Sequence, residues 1–305
     1  MAKRKKNNVA REAGLQAGNQ VELVIESLNS SGQGVAHYNG LTVFVDAAVP
    51  GDRVNARILE RRPRYAIADI EKIILPSEDR VDAVCAVSKR CGGCGLQAMS
   101  YPAQLREKRE QVIAALERIG GFTSAELDKL VQPVLGMSDP WRYRAKVQFP
   151  VSGTTESPLI GFYAPRSHKV IEHSECAIEH PAADAVRQVV KNHCVQYKVE
   201  PYNETSHTGL LRHVVVRIGF ATGQVMVILV INSDKADEKN AYRNGSKNNG
   251  SLEGGNDDKN GCEFPAIEQL AANLNSALTS EGLMPGSGTA FSLHSLYLNH
   301  HTRRS

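Results

Sequence analysis

The sequence contains no apolar run approaching the roughly 20 residues of a membrane-spanning helix, which argues against a transmembrane segment. Its basic start, MAKRKKNNVAREAG, is followed by no apolar h-region and so is not a secretory signal. No dinucleotide-type glycine fingerprint follows a strand pattern. Gly286-Ser287-Gly288 leads into no helix and reads as a turn. The histidines, His207 and His213 among them, show no metal-like spacing and read as ordinary polar or core residues. Cysteine is scarce, with six in 305 residues. Without a signal this points to the reducing cytoplasm, where thiols bind metals rather than pair. The net charge of +3 decides little.

What cysteine there is lies close together. Cys85–Gln97 reads CAVSKRCGGCGLQ, with thiols spaced C-x5-C-x2-C and Gly92-Gly93 between the last two. Glycines let a backbone bend sharply and bring N–H groups near sulfur. Tetrahedral metal sites and iron–sulfur clusters need thiolates converging from such a turn, often with a distant fourth ligand. Cys176, in HSECAIEH, is the obvious fourth. The spacing matches neither the C-x2-C-x2-C-x3-C-P of bacterial ferredoxins nor the short first gap of radical-SAM enzymes. No second C-x2-C follows, as a zinc ribbon requires. Cys194 falls in a helical pattern and reads as a small buried apolar group. Cys262 ends a low-complexity stretch and reads as a surface thiol.

Residues 1–14 form a basic arm, with Lys3, Arg4, Lys5 and Lys6 too polar to fold alone. From Val21 to Leu75 the sequence gives five short β runs punctuated by turns. Asn39-Gly40 is a two-residue hairpin signal, and Pro50-Gly51-Asp52 makes another turn. Five strands in so short a span bury a core by curling into a small OB-like barrel, here placed at 15–76. Arg57, Arg61, Arg62 and Arg64 gather near one turn beside Tyr65, a set suited to phosphate contact and base stacking. A solvated hairpin tip accounts for them equally well.

Beyond the thiols, Ser100 is placed to cap a helix over 101–120 with Pro102 in its first turn. Leu105, Val112, Leu116 and Ile119 recur on one face, and Gly120-Gly121 ends the run. Residues 77–299 read as an α+β domain. In it Trp141–Val147 alternates as a strand placing Arg142, Arg144 and Lys146 on one face, suited to phosphate. A charged edge strand is the competing reading. LIGFYAP and HKVIE form a hairpin, Pro181–Tyr197 a helix, and LRHVVVRIGF and QVMVILVIN two strands. FPAIEQLAANLNSALTSEG forms a further helix and TAFSLHSLYLN a strand. The segment 233–261 is almost devoid of apolar residues and is expected to be a disordered insertion. A tail is expected over 300–305.

The barrel, with its GQGVA and VPGD turns, resembles a TRAM domain. Together with C-x5-CGGC-x-LQ and a distant single cysteine, it resembles the RNA uracil-C5 methyltransferase family. Within that family it is similar to the iron–sulfur members that methylate a uridine of bacterial 23S ribosomal RNA. The resemblance covers about Gln20 to Asn299 and implies that Cys85, Cys91, Cys94 and Cys176 hold a [4Fe-4S] cluster. It implies S-adenosylmethionine (SAM) as methyl donor and 23S ribosomal RNA as partner, in a cytoplasmic protein, monomeric and without a membrane role. In that chemistry a cysteine thiolate adds to uracil C6 and C5 attacks the methyl group. The family's SAM-binding α/β fold, nucleophilic cysteine and general base match no positions here. The SAM-binding domain is therefore expected to be absent, and the chain to be a truncated one, inactive alone. Two further readings stay open: a non-catalytic iron–sulfur RNA-binding module and a zinc-stapled nucleic-acid-binding protein.

Overall fold

A computed structural model describes residues 14–232, 264–279 and 291–301. The arm before Gly14, the segment 233–261, Cys262 and the Gly286–Gly288 turn lie outside these residues, as do 302–305 of the expected tail. The chain divides into two compact units, Met1–Pro140 and Trp141–Ser305.

The first unit opens with strands β1 (Gln20–Val24), β2 (Ser27–Leu28), β3 (Gly34–Tyr38), β4 (Leu41–Val45), β5 (Arg53–Arg61) and β6 (Tyr65–Leu75). They form one sheet in the order β1-β5-β6-β4-β3-β2. Strand alternation sends Leu23, Val43, Val45, Val54, Ile58 and Ala68 into a common core. The two ends of the sheet, β1 and β2, are separated in sequence only by Ile25 and Glu26. The Ile25 N–H donates to Asp52 O at 2.9 Å, and the Glu26 N–H to Val35 O at 2.8 Å. Two successive residues thus bond to opposite edges, which curls the sheet into a barrel. This closure breaks the stretch read from sequence as one strand into β1 and β2, giving six strands rather than five. Asn39 and Gly40 both take positive φ, 47° and 78°, as a two-residue hairpin turn demands.

After the barrel, α1 (Tyr101–Ala115) runs into a π-helical turn, Leu116–Gly120, ended by Gly121 at φ 73°. Ser100 sits at the N-cap without a side-chain capping bond, and Pro102 lies in the first turn. The apolar stripe read from sequence is largely uncovered within this unit: of α1 only Ala103 is buried, and Ile119 is 88% exposed. Ala103 joins Leu28, Val49 and Met99 in a small second core. A capping box of Thr123 and Glu126 starts α2 (Ser124–Leu130).

The second unit contains β7 (Lys146–Gly153), β8 (Pro158–Ile160), β9 (Phe162–Tyr163), β10 (Val170–Ile171), α3 (Pro181–Gln196), β11 (Leu211–Gly219), β12 (Gln224–Asn232), α4 (Ile267–Leu278) and β13 (Ser292–His301). Five strands form a mixed sheet, β13-β12-β11-β7-β8, and β9 pairs with β10. Val147, Phe149, Val216 and Leu229 on one sheet face pack with Val186 and Val190 of α3 and Leu270 and Leu274 of α4. β12 and β13 run parallel, so α4 lies in a βαβ crossover that the α+β reading did not anticipate. β13 continues through His300 and His301, residues read from sequence as the start of a tail.

The expected strand over 141–147 is also corrected. β7 begins only at Lys146, and Arg142 takes φ 54°. The N–H groups of Arg142 and Arg144 donate to Ala177 O and Ile178 O, each at 2.9 Å. The backbone there follows the segment after Cys176 rather than the sheet, so Arg142, Arg144 and Lys146 do not share a strand face.

Candidate metal centre and nucleic-acid surfaces

In the first unit the three neighbouring thiols sit on a closed loop. Its neck is a β-bridge between Arg80 and Met99, reinforced by the Val81 N–H donating to Ala98 O at 2.9 Å. Arg80 in turn is anchored on Asp52, a fully buried carboxylate of the barrel. Its Nη2 donates to Oδ2 at 2.6 Å and its Nε to Oδ1 at 2.9 Å. Burial works to raise the Asp52 pKa. The Arg80 hydrogen bonds, the N–H groups of Ser77 and Val49 and the Arg80 charge outweigh it, holding the carboxyl below its usual range. The neck is therefore fixed to the barrel by a charge-assisted fork.

Inside the loop the chain runs in consecutive tight turns, and Cys85, Cys91 and Cys94 are each half-buried. The Gln97 side chain accepts the Cys85 N–H at 3.2 Å, and the Gly93 N–H donates to Cys91 Sγ at 3.4 Å. An amide aimed at a thiol sulfur stabilises the thiolate that a soft metal or an iron–sulfur cluster needs. The donor set and this N–H···S contact fit such a group. Cys194 lies instead in the apolar core between helix and sheet, where burial pushes its thiol up to about 12.

Cys176 belongs to the second unit, half-buried between β10 and α3. There it is accompanied by His173 and Glu179, and a ligand atom from each of the three lies within 4.8 Å of the others. The sequence reading missed these two. Their H-x2-C-x2-E spacing was the available signal, but the chain there is a turn rather than a helix with an established ligand pattern.

The basic residues near the barrel turn differ in their surroundings. Arg57 pairs with Glu71 at 3.1 Å and Arg62 with Glu60 at 2.5 Å. Arg64 is exposed in the β5–β6 turn, and Arg61 ends β5. The Tyr65 ring is tilted against Phe44 at 5.5 Å, which leaves less of it for a stacked base than sequence suggests. In the second unit Arg144 lies over the Phe162 ring at 5.7 Å. Lys146 faces a cavity of about 420 Å³ on the side of the mixed sheet opposite α3 and α4, together with Arg212, His213, Arg217 and His301. Lys146 and Arg217 are directly opposite across β7 and β11. Like charges so placed repel, and neither forms an ion pair among the described residues. Burial, followed by the Arg212 charge, lowers the His213 pKa.

Residues 15–70 match the model of the TRAM domain. The chain is 41% identical over 228 residues to a protein of Halalkalibacterium halodurans named an uncharacterized RNA methyltransferase, covering 75% of this chain and 49% of that one. A second protein of the same organism and description is 36% identical over 272 residues, 89% of this chain and 55% of that one. The chain thus spans about half the length of the curated relatives it matches. Among solved structures it is similar to the Pyrococcus abyssi tRNA (uracil-54, C5)-methyltransferase in complex with S-adenosyl-L-homocysteine. That match has 25% identity and a TM-score of 0.51, and covers 70% of this chain and 46% of that one.

This likeness overturns the expectation that the SAM-dependent fold is absent. The first unit ends at residue 140 of 305, so an alignment over 70% of the chain necessarily enters the mixed-sheet unit. That unit is part of a methyltransferase fold, and the expectation of an inactive chain loses its basis. A missing glycine fingerprint describes one turn, whereas the βαβ crossover into β13 is a property of the sheet. No helix among the described residues is long and apolar enough to cross a membrane.

Proposed function

We propose that the chain acts in SAM-dependent C5 methylation of uridine in RNA, with 23S ribosomal RNA as the substrate. The observation that carries the uracil-C5 methylation is the structural likeness to a tRNA (uracil-54, C5)-methyltransferase reaching beyond the barrel, at 25% identity. The 23S ribosomal substrate rests instead on the family resemblance of the C-x5-CGGC-x-LQ motif. The thiol loop separates the chain from a generic TRAM protein. In this reading the barrel, 15–76, grips the RNA backbone, and the body, 77–299, carries a [4Fe-4S] cluster on Cys85, Cys91, Cys94 and Cys176.

The cluster would supply structural order rather than electrons, because thiolate addition at C6, methyl transfer to C5 with release of S-adenosylhomocysteine, and loss of the C5 proton with expulsion of the thiolate leave no net redox change. The N–H of Gly93 and the side chain of Gln97 hold the loop in the shape its thiolates require. Arg61 and Arg64 at the barrel turn, with Lys146 and Arg217 on the second unit's sheet, supply phosphate contacts. A methyltransferase must also draw its target base out of the stack.

The test is methyl transfer from labelled SAM to unmodified ribosomal and transfer RNA. Label in 5-methyluridine of 23S ribosomal RNA is expected. Label only in transfer RNA overturns the substrate. No transfer, with salt-sensitive RNA binding retained, favours a non-catalytic RNA-binding module. Zinc without iron or sulfide overturns the cluster.

A further inference from the structure

Two buried polar side chains beside Cys176 leave polar atoms without a hydrogen bond. His173 and Glu179 are 6% and 2% exposed. The His173 Nε2 and both Glu179 carboxylate oxygens lack hydrogen bonds. His173 Nε2 and Glu179 Oε1 lie 3.6 Å apart, too far for a hydrogen bond. A carboxylate removed from water without a partner is strongly disfavoured, and so is an unsatisfied imidazole nitrogen. A cation seated between them removes both penalties.

The three residues are held by independent supports. The His173 ring stacks on Phe162 with centroids 5.3 Å apart and planes 8° from parallel. The segment bearing Cys176 and Glu179 is fixed by the N–H groups of Arg142 and Arg144, bonded to Ala177 O and Ile178 O. Glu179 then pairs in register with Arg144, and α3 begins at Pro181. Side chains positioned in advance by stacking and backbone bonds are what a metal site requires of its scaffold.

We propose that His173, Cys176 and Glu179 form a three-ligand site for a single divalent transition-metal ion of the zinc, cobalt or ferrous class. One nitrogen, one sulfur and one oxygen donor suit these borderline ions and not magnesium or calcium, which take oxygen. Three protein ligands leave one tetrahedral position for water or another ligand. Binding releases the Cys176 thiol proton. The site meets the proposed cluster only through Cys176, so the single ion and the cluster are alternative occupants of that thiolate.

The test uses the full chain with Cys85, Cys91 and Cys94 all changed to Ser, stripped of metal and titrated with Co2+. One equivalent should bind with a thiolate-to-cobalt charge-transfer band, lost on adding Cys176→Ser. His173→Ala and Glu179→Gln should each weaken binding by at least about tenfold, since even outer-shell partners cost that much. A folded protein showing no charge-transfer band, or one whose Co2+ affinity is unchanged by both substitutions, overturns the site. Should the triple variant not fold, zinc K-edge absorption of the wild-type chain with one equivalent of Zn2+ decides. One sulfur with a nitrogen and oxygen shell supports the site, and an all-sulfur shell overturns it. The iron and sulfide content of the wild-type chain tests the cluster separately.

Discussion

Arg80 grips Asp52 with two nitrogens, Nε and Nη2, and its Nη2 also donates to Ala47 O at 2.9 Å. One side chain thereby ties the neck of the thiol loop to the interior of the barrel. Asp52→Asn leaves the guanidinium without its counter-charge. Breaking a buried pair in this way costs about 3 kcal/mol or more. Chemical denaturation of the variant should show that loss, and occupancy of the proposed cluster, read as iron content, should fall with it because the loop neck is loosened.

The same pair contributes to the acid limb of stability. The folded-state pKa of Asp52 lies below its ordinary 3.8, so the unfolded state binds the proton more readily. Its contribution is present above that ordinary value and is lost as pH falls through the lower folded value. Melting temperature followed below pH 4 should drop less steeply in Asp52→Asn than in the wild type, relative to each protein's own neutral value.

The thiols should separate into two classes. Cys91→Ser is expected to lose iron and to lower the melting temperature, because metal binding and folding are coupled. If the proposed cluster is present, Cys194→Ala should leave the iron content unchanged, and Cys194 should resist alkylation at neutral pH, its thiol being pushed up to about 12 by burial. Rapid labelling of Cys194 in the native protein would contradict this.

RNA affinity should depend on salt through the arginines of the barrel. Removing a phosphate contact lowers the slope of log affinity against log salt by about 0.7–0.9. Arg64→Ala should do this, while Arg57→Ala should do so less, because Arg57 is engaged with Glu71. Equal slopes in both variants and the wild type would remove these side chains from the RNA surface.

His193 predicts a second pH dependence. It is buried in α3 against Tyr197 and Phe264, and its Nε2 hydrogen-bonds to Pro265 O at 2.8 Å. Burial lowers its pKa below the ordinary 6.5, against the raising effect of that bond. The unfolded state therefore takes up the proton first, and stability falls as pH drops below 6.5. His193→Gln should flatten that decline in thermal melts between pH 7 and 5, at the cost of a lower melting temperature at pH 7.

Local patterns were legible where chemistry is local. Hairpin glycines, strand alternation and the C-x5-C-x2-C spacing gave the barrel, α3, β11, β12 and the thiol loop close to where they lie. Long-range pairing was not legible. Arg142 and Arg144 alternate like strand residues, yet their N–H groups are taken by Ala177 and Ile178, residues more than thirty positions away.

The Asp52–Arg80 fork and the His173–Glu179 pair show the same division. Each amino acid was plain in the sequence, but a buried charge acquires meaning only from what surrounds it. The sequence by itself determined the donor chemistry of the thiol loop, because three thiols within ten residues share one turn whatever the rest of the chain does. Tertiary structure alone decided that β13 lies parallel to β12, and that His173 and Glu179 face Cys176 out of water. Those facts depend on crossovers and burial, which no run of neighbouring residues encodes.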